Sequence, residues 1–187
     1  MPDLDELLLE SEERMTNSLE ALKRELAKAR TGRANPKMFD GLTVSYYGVD
    51  TPINQVSGIS IPEANQIYIK PYDKSLVSLI EKAIFAANLG VTPSNDGIGV
   101  RIVLPPMTEE NRRNTVKDVK KQAEEAKVAI RNIRRDLTAD IKQMKKDSLA
   151  SEDEEEIYLE EAQKLTDKYI DLIDKAAEAK EKEIMTI

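Results

Sequence analysis

Residues 108–150 read TEENRRNTVKDVKKQAEEAKVAIRNIRRDLTADIKQMKKDSLA. Val116, Val119, Ala123, Ala126, Ile130, Ile133, Leu137 and Met144 follow one another at steps of three and four, interrupted only by Asp140. That spacing predicts a long helix with a narrow apolar seam. Thr108 is placed to cap its start, and Glu109 and Glu110 suit the positive end of the helix dipole. A helix of about 40 residues is roughly 60 Å long. A stripe this thin cannot hold such a helix in water alone, so the helix requires partners.

Two further segments supply them. Over residues 3–30, Met15, Leu19, Leu22, Leu26 and Ala29 keep the same steps, with Leu8 one heptad earlier. After residue 150, Ser151-Glu152-Asp153-Glu154 fits a capping box, and Tyr158, Ala162, Leu165, Tyr169, Leu172, Ala176 and Ala179 carry a third seam. Three such helices predict a three-helix bundle.

Between the first helix and the second the chain changes character. Most Gly and Pro residues fall within 32–107. Leu42–Tyr47 reads as a strand ending at Gly48, Ile53–Ile61 as a strand broken by Gly58, and Gln66–Lys70 as another. Leu76, Ile80, Ala83 and Ile84 mark a helix over about 74–88, with Gly90 as its C-terminal cap. Ser94–Gly97 reads as a turn, and Val100, Ile102 and Leu104 alternate as a half-buried strand. The predicted fold is therefore α+β. A long discontinuous three-helix bundle (1–31 and 106–187) carries an inserted small β/α/β domain (32–105). The expected molecule is elongated, L-shaped and two-domain. Its hinges fall at the chain crossings, Arg30-Thr31-Gly32-Arg33 and Leu104-Pro105-Pro106.

Composition narrows the chemistry. The 187 residues include no Cys and no His. That removes disulfides, thiolate nucleophiles, Cys/His zinc sites, Ser-His-Asp triads and imidazole acid–base catalysis. No Walker lysine motif or dinucleotide glycine fingerprint appears. No apolar run approaches the ~20 residues of a membrane span. The acidic start Met1–Glu6 lacks the basic region of a signal peptide, so a cytoplasmic protein is expected.

The net charge of −7 argues against a generic nucleic-acid binder, yet the charge is unevenly distributed. Residues 108–150 hold 12 Lys and Arg against 8 Asp and Glu, whereas 151–187 hold 5 against 13. Within the basic segment, Lys127, Arg131, Arg134 and Arg135 stand at helical-neighbour spacing beside the seam. One reading is a solvated flank with weak ion pairs to Glu124, Glu125 and Asp136. The other is a phosphate-binding stripe, for which three arginines offer forked donors. Arg30 and Arg33 likewise read either as a helix end or as cations flanking a hinge. The acidic run Glu152–Glu156 reads as helix-start electrostatics, and Tyr46-Tyr47 as strand packing with one ring in and one out.

The motifs Arg30-Thr31-Gly32-Arg33-Ala34-Asn35-Pro36, Val44-Ser45-Tyr46-Tyr47-Gly48, Glu81-Lys82-Ala83-Ile84 and Asn88-Leu89-Gly90 occur in that order. Leu104–Glu110 with Arg112, and Ala129–Asp136, follow them. In this arrangement the chain resembles the bacterial ribosome recycling factor family along essentially its whole length. The resemblance implies a non-enzymatic factor without cofactor or metal. It implies action on the post-termination ribosome, which such factors split into subunits with elongation factor G and that factor's GTP hydrolysis. It also implies a bundle lying on the large subunit and its ribosomal RNA, with Arg30, Arg131 and Arg134 as the matching contacts and Lys127 and Arg135 beside them. The small domain and hinge would meet elongation factor G. A monomer with no membrane association is expected. Periodicity alone fits one rival equally, a coiled-coil stalk bearing a small recognition domain; a third reading, an enzyme working through carboxylates, has no paired carboxylates in a recognisable loop to support it.

Overall fold

The computed structural model describes residues 2–186. It separates into two compact units, one formed by the chain up to Ala29 together with Arg113–Thr186, the other by Arg30–Arg112.

The first unit is built on α1 (Leu4–Ala27), α4 (Glu109–Lys146) and α5 (Glu152–Met185). Asp3 with Glu6, and Ser151 with Glu154, close capping boxes at the starts of α1 and α5. The Thr108 hydroxyl accepts from the Asn111 amide, starting α4. The common core takes Met15, Leu19, Leu22 and Leu26 from α1, Val119, Ala123, Ile130 and Ile133 from α4, and Leu165, Tyr169, Ile173 and Ile184 from α5. Tyr169 is the buried ring among them. The Thr16 hydroxyl donates to the Glu12 carbonyl at 2.9 Å and shares a 2.7 Å hydrogen bond with the Tyr169 hydroxyl. Ion pairs cross each interface: Arg14 to Asp136 at 3.1 Å between α1 and α4, Lys168 to Glu12 at 3.2 Å between α5 and α1, and Lys127 to Asp174 and Lys145 to Glu155 (3.4 Å) between α4 and α5.

The seams depart from strict heptads in a consistent direction. In α4 the residue after Leu137 that faces the core is Ile141, fully buried, and Asp140 points outward. In α5 the core passes to Ile173 and Ala177; Leu172 and Ala176 are half-buried and Ala179 is exposed. A straight helix turns once per 3.6 residues, so a seven-residue repeat slips by about 20° per heptad. Over three or four heptads the slip approaches one residue, and the next residue along takes the core position. The first helix also ends at Ala27 rather than at residue 30.

In the second unit, β1 (Thr43–Tyr46) pairs antiparallel with β2 (Val49–Pro52). Tyr47 and Gly48 both have positive φ, as a two-residue hairpin turn of this twist requires. Tyr46 therefore packs against the core while Tyr47, at the turn rather than on the strand, is 86% exposed. The segment read as one strand over 53–61 is a helical turn, α2 (Ile53–Val56), followed by β3 (Ser57–Glu63). With β4 (Gln66–Pro71), β5 (Thr92–Asn95) and β6 (Val100–Val103) it forms a four-stranded antiparallel sheet in the order β3-β4-β6-β5. Ser94 and Asn95 belong to β5, and the turn lies at 96–99. The helix α3 (Val77–Ala86) follows a 3-10 turn at Lys74–Leu76, and the left-handed residue just beyond it is Asn88, before Gly90. Leu76, Ile80 and Ile84 cover Ile67, Ile69, Val100 and Ile102 of the sheet.

The 96–99 turn is held by one carboxylate. Asp96 Oδ1 accepts from the amides of Gly99 (2.7 Å) and Ile98 (2.9 Å), and Oδ2 from the Tyr68 hydroxyl (3.0 Å). The Tyr68 ring lies over Gly99, where a Cβ would come within 2.7 Å of it and of the Ile69 carbonyl oxygen. The Gly99 amide, then that of Ile98, holds the Asp96 carboxyl below its ordinary value. A carboxyl depressed in the folded state contributes stability above its unfolded pKa, about 3.9, and loses it as pH falls through the folded value. Asp96→Asn should therefore flatten the acid limb of the stability–pH curve below about pH 4. Superimposable wild-type and variant curves in acid denaturant titrations would exclude this role.

Candidate nucleic-acid interface

The cations singled out on α4 differ in what holds them, and two of them, Lys127 and Arg134, reach across to α5. The Lys127 side chain is only 19% exposed. Its ammonium is caught between Asp174 of α5 and, at 4.0 Å, Glu124. Arg131, half exposed, reaches Glu124 at 3.3 Å. Arg134 donates to the side-chain carbonyl of Gln163 on α5 at 3.0 Å, so its charge meets a neutral partner. Arg135 is exposed and, among the described residues, forms no ion pair. The expected partner Asp136 turns instead to Arg14 of α1, on the opposite flank. Ion pairing thus accounts for Lys127 and partly for Arg131, and leaves Arg134 and Arg135 with unneutralised guanidinium groups.

Guanidinium groups one helical turn apart on an exposed flank are suited to a polyanion. Each can present a fork to phosphate oxygens, and such contacts fix orientation without reading sequence. The acidic start of α5 is used otherwise. Glu154 bonds back to the Ser151 amide, which holds its carboxyl below the ordinary value. No group of three or more potential metal ligands occurs among the described residues.

Arg30 belongs to the other unit. Its side chain is exposed and its guanidinium lies against Gly90. Next to it Thr31 is buried, and its hydroxyl accepts from the Arg33 amide at 3.3 Å; Gly32 follows with a φ of +82°. The Ala34 amide donates to Ala64 and the Leu104 amide to Asn65, both at 2.7 Å. Both chain crossings are thus fastened to one turn, between β3 and β4. Gly32, Arg33, Ala64, Asn65, Leu104 and Pro106 line an open cavity of about 380 Å³ there. Pro105 and Pro106 are exposed beyond Leu104.

Gln163 and Asp174 were not foreseen from the sequence. They become visible once α4 and α5 are read as an antiparallel pair, in which residues equidistant from the 147–151 turn face each other.

Comparison with known proteins decides the family. The family model described as ribosome recycling factor matches residues 22–185. The chain belongs to the ribosome recycling factor family. It is 58% identical over 182 residues to the ribosome-recycling factor of Halalkalibacterium halodurans, covering 97% of this chain and 98% of that protein. The Bacillus subtilis factor is 50% identical with the same coverage. A solution structure of a ribosome recycling factor superposes with a TM-score of 0.84 at 44% identity, covering all of both chains. The T. thermophilus ribosome recycling factor, described with E. coli elongation factor G bound to the E. coli post-termination complex, matches with a TM-score of 0.68 at 42% identity. It covers 98% of this chain and all of that one. No helix among the described residues is long and apolar enough to cross a membrane.

Proposed function

We propose that this protein binds the post-termination ribosome in the cytoplasm and, together with elongation factor G, splits it into subunits, releasing mRNA and deacylated tRNA. GTP hydrolysis belongs to elongation factor G, and the factor itself makes and breaks no covalent bond. The observation that carries the docking part is the α4 flank, where Arg131, Arg134 and Arg135 stand on a chain of net charge −7. In this reading they contact ribosomal RNA of the large subunit, with Lys127 supporting the flank and Arg30 adding a cation from the small unit. The acidic remainder limits stray association with RNA.

The two crossings act as the hinge. Gly32 and Pro105-Pro106 lie close to the hydrogen-bond anchors at Ala34 and Leu104, which supports bending at 30–33 and 104–106. Elongation factor G would push on the small unit, and the long helices would carry the load to the bridges between subunits.

The test is light scattering of post-termination ribosomes with elongation factor G and GTP. Splitting should require this protein and fall steeply with added salt. Binding without splitting, using a partner factor from a close relative, would refute the recycling step. Absence of ribosome binding would favour the stalk reading.

A further inference from the structure

The neutral partner of Arg134 is itself held. The Gln163 side-chain amide donates to Asp167 Oδ1 at 2.8 Å, one turn further along α5, while its carbonyl accepts from Arg134 at 3.0 Å. This orientation is the only one that pairs donors with acceptors at both ends. A flipped amide would face a guanidinium with NH₂ and a carboxylate with C=O. Asp167 therefore sets the direction of Gln163, and Gln163 sets that of Arg134. One guanidinium donor is used and four remain. Lys127 and Arg131 are steered differently, by carboxylates that also cancel part of their charge.

We propose that Gln163, oriented by Asp167, is a positioning residue for RNA docking: it holds the Arg134 guanidinium ready for a phosphate without neutralising it. The inference rests on the reading of Arg134 as a phosphate contact. Ordering a long side chain beforehand removes part of the entropy that binding would otherwise cost. The partner must be uncharged, because a carboxylate at the same place would compete with the phosphate for the same fork.

The experiment measures binding of the full-length protein to large ribosomal subunits across roughly 50 to 200 mM salt. The variants are Gln163→Ala, Gln163→Glu, Arg134→Ala and Gln163→Ala/Arg134→Ala. Gln163→Ala should weaken binding about threefold to tenfold, as loss of a pre-ordered side chain implies. Gln163→Glu should weaken it further and make the log–log salt dependence shallower by roughly one phosphate contact, like Arg134→Ala. The double variant should bind no worse than Arg134→Ala alone, because Gln163 acts through that residue. Thermal melts near wild type accompany the expected result.

Wild-type binding by Gln163→Ala, with Arg134→Ala weakened, would overturn the positioning role and leave the docking reading standing. An equal loss from Gln163→Ala in both backgrounds would also overturn it, since the residue would then act independently of Arg134. Wild-type affinity and salt slope in Arg134→Ala would instead defeat the docking reading beneath it.

Discussion

Ile133→Asp should collapse the helical bundle. Ile133 is 5% exposed and sits in the shared core with residues of all three long helices. Removing a buried aliphatic side chain of this size costs about 2–5 kcal/mol. The introduced carboxyl must then be buried without a partner or pay to become neutral. Together these reach at least about 4 kcal/mol against a total stability of about 5–15 kcal/mol. Denaturant titration followed by helical circular dichroism should show a large fall in midpoint. Arg134→Ala, one residue away on the flank, should stay within about 0.5 kcal/mol of wild type. A wild-type melt for Ile133→Asp would mean that the bundle does not pack along this seam.

The largest functional effect is expected from Arg131→Ala/Arg134→Ala. Each arginine, in the docking reading, contributes charge-assisted hydrogen bonds to phosphate worth about 1.5–3 kcal/mol. Losing both should weaken ribosome binding a hundredfold or more, by about 3 kcal/mol at least, and suppress splitting. The salt dependence should become shallower by roughly two phosphate contacts. The fold should survive, because the Arg131–Glu124 pair is about half exposed and such pairs contribute at most about 1 kcal/mol. Binding that weakens while its salt slope stays unchanged would assign these residues a role other than phosphate contact.

The helices were legible because their signal is local: the seam, the caps and the acidic first turns are all written within a few residues of one another. The residue-by-residue slip from Asp140 to Ile141 and from Leu172 to Ile173 was less so. A seven-residue pattern assumes a supercoil that these helices do not keep. The small unit was read least well. The two missed strands, β2 and β5, each contain a proline, Pro52 and Pro93, which counts against a strand by propensity. Proline is tolerated at sheet edges, and β2 lies in a two-stranded ribbon while β5 is the outer strand of its sheet. Edge position is a property of the assembled sheet and cannot be read from four residues. The α4 cations were visible as a charge pattern. Which of them is neutralised depends on Asp174 and Gln163, separated from them in sequence and adjacent only after α5 folds back.

The interruption of the bundle also sets an order of assembly. Thr16 meets Tyr169 across 153 residues, so α1 leaves the site of synthesis long before its partners exist. The unit from Arg30 to Arg112 is continuous and can close its own core first. During that interval α1 carries Met15, Leu19, Leu22 and Leu26 uncovered, a transient sticky face that chaperones would recognise. Closing the last helix is then the step with the greatest contact order, and it should limit the rate at which the newborn chain becomes competent.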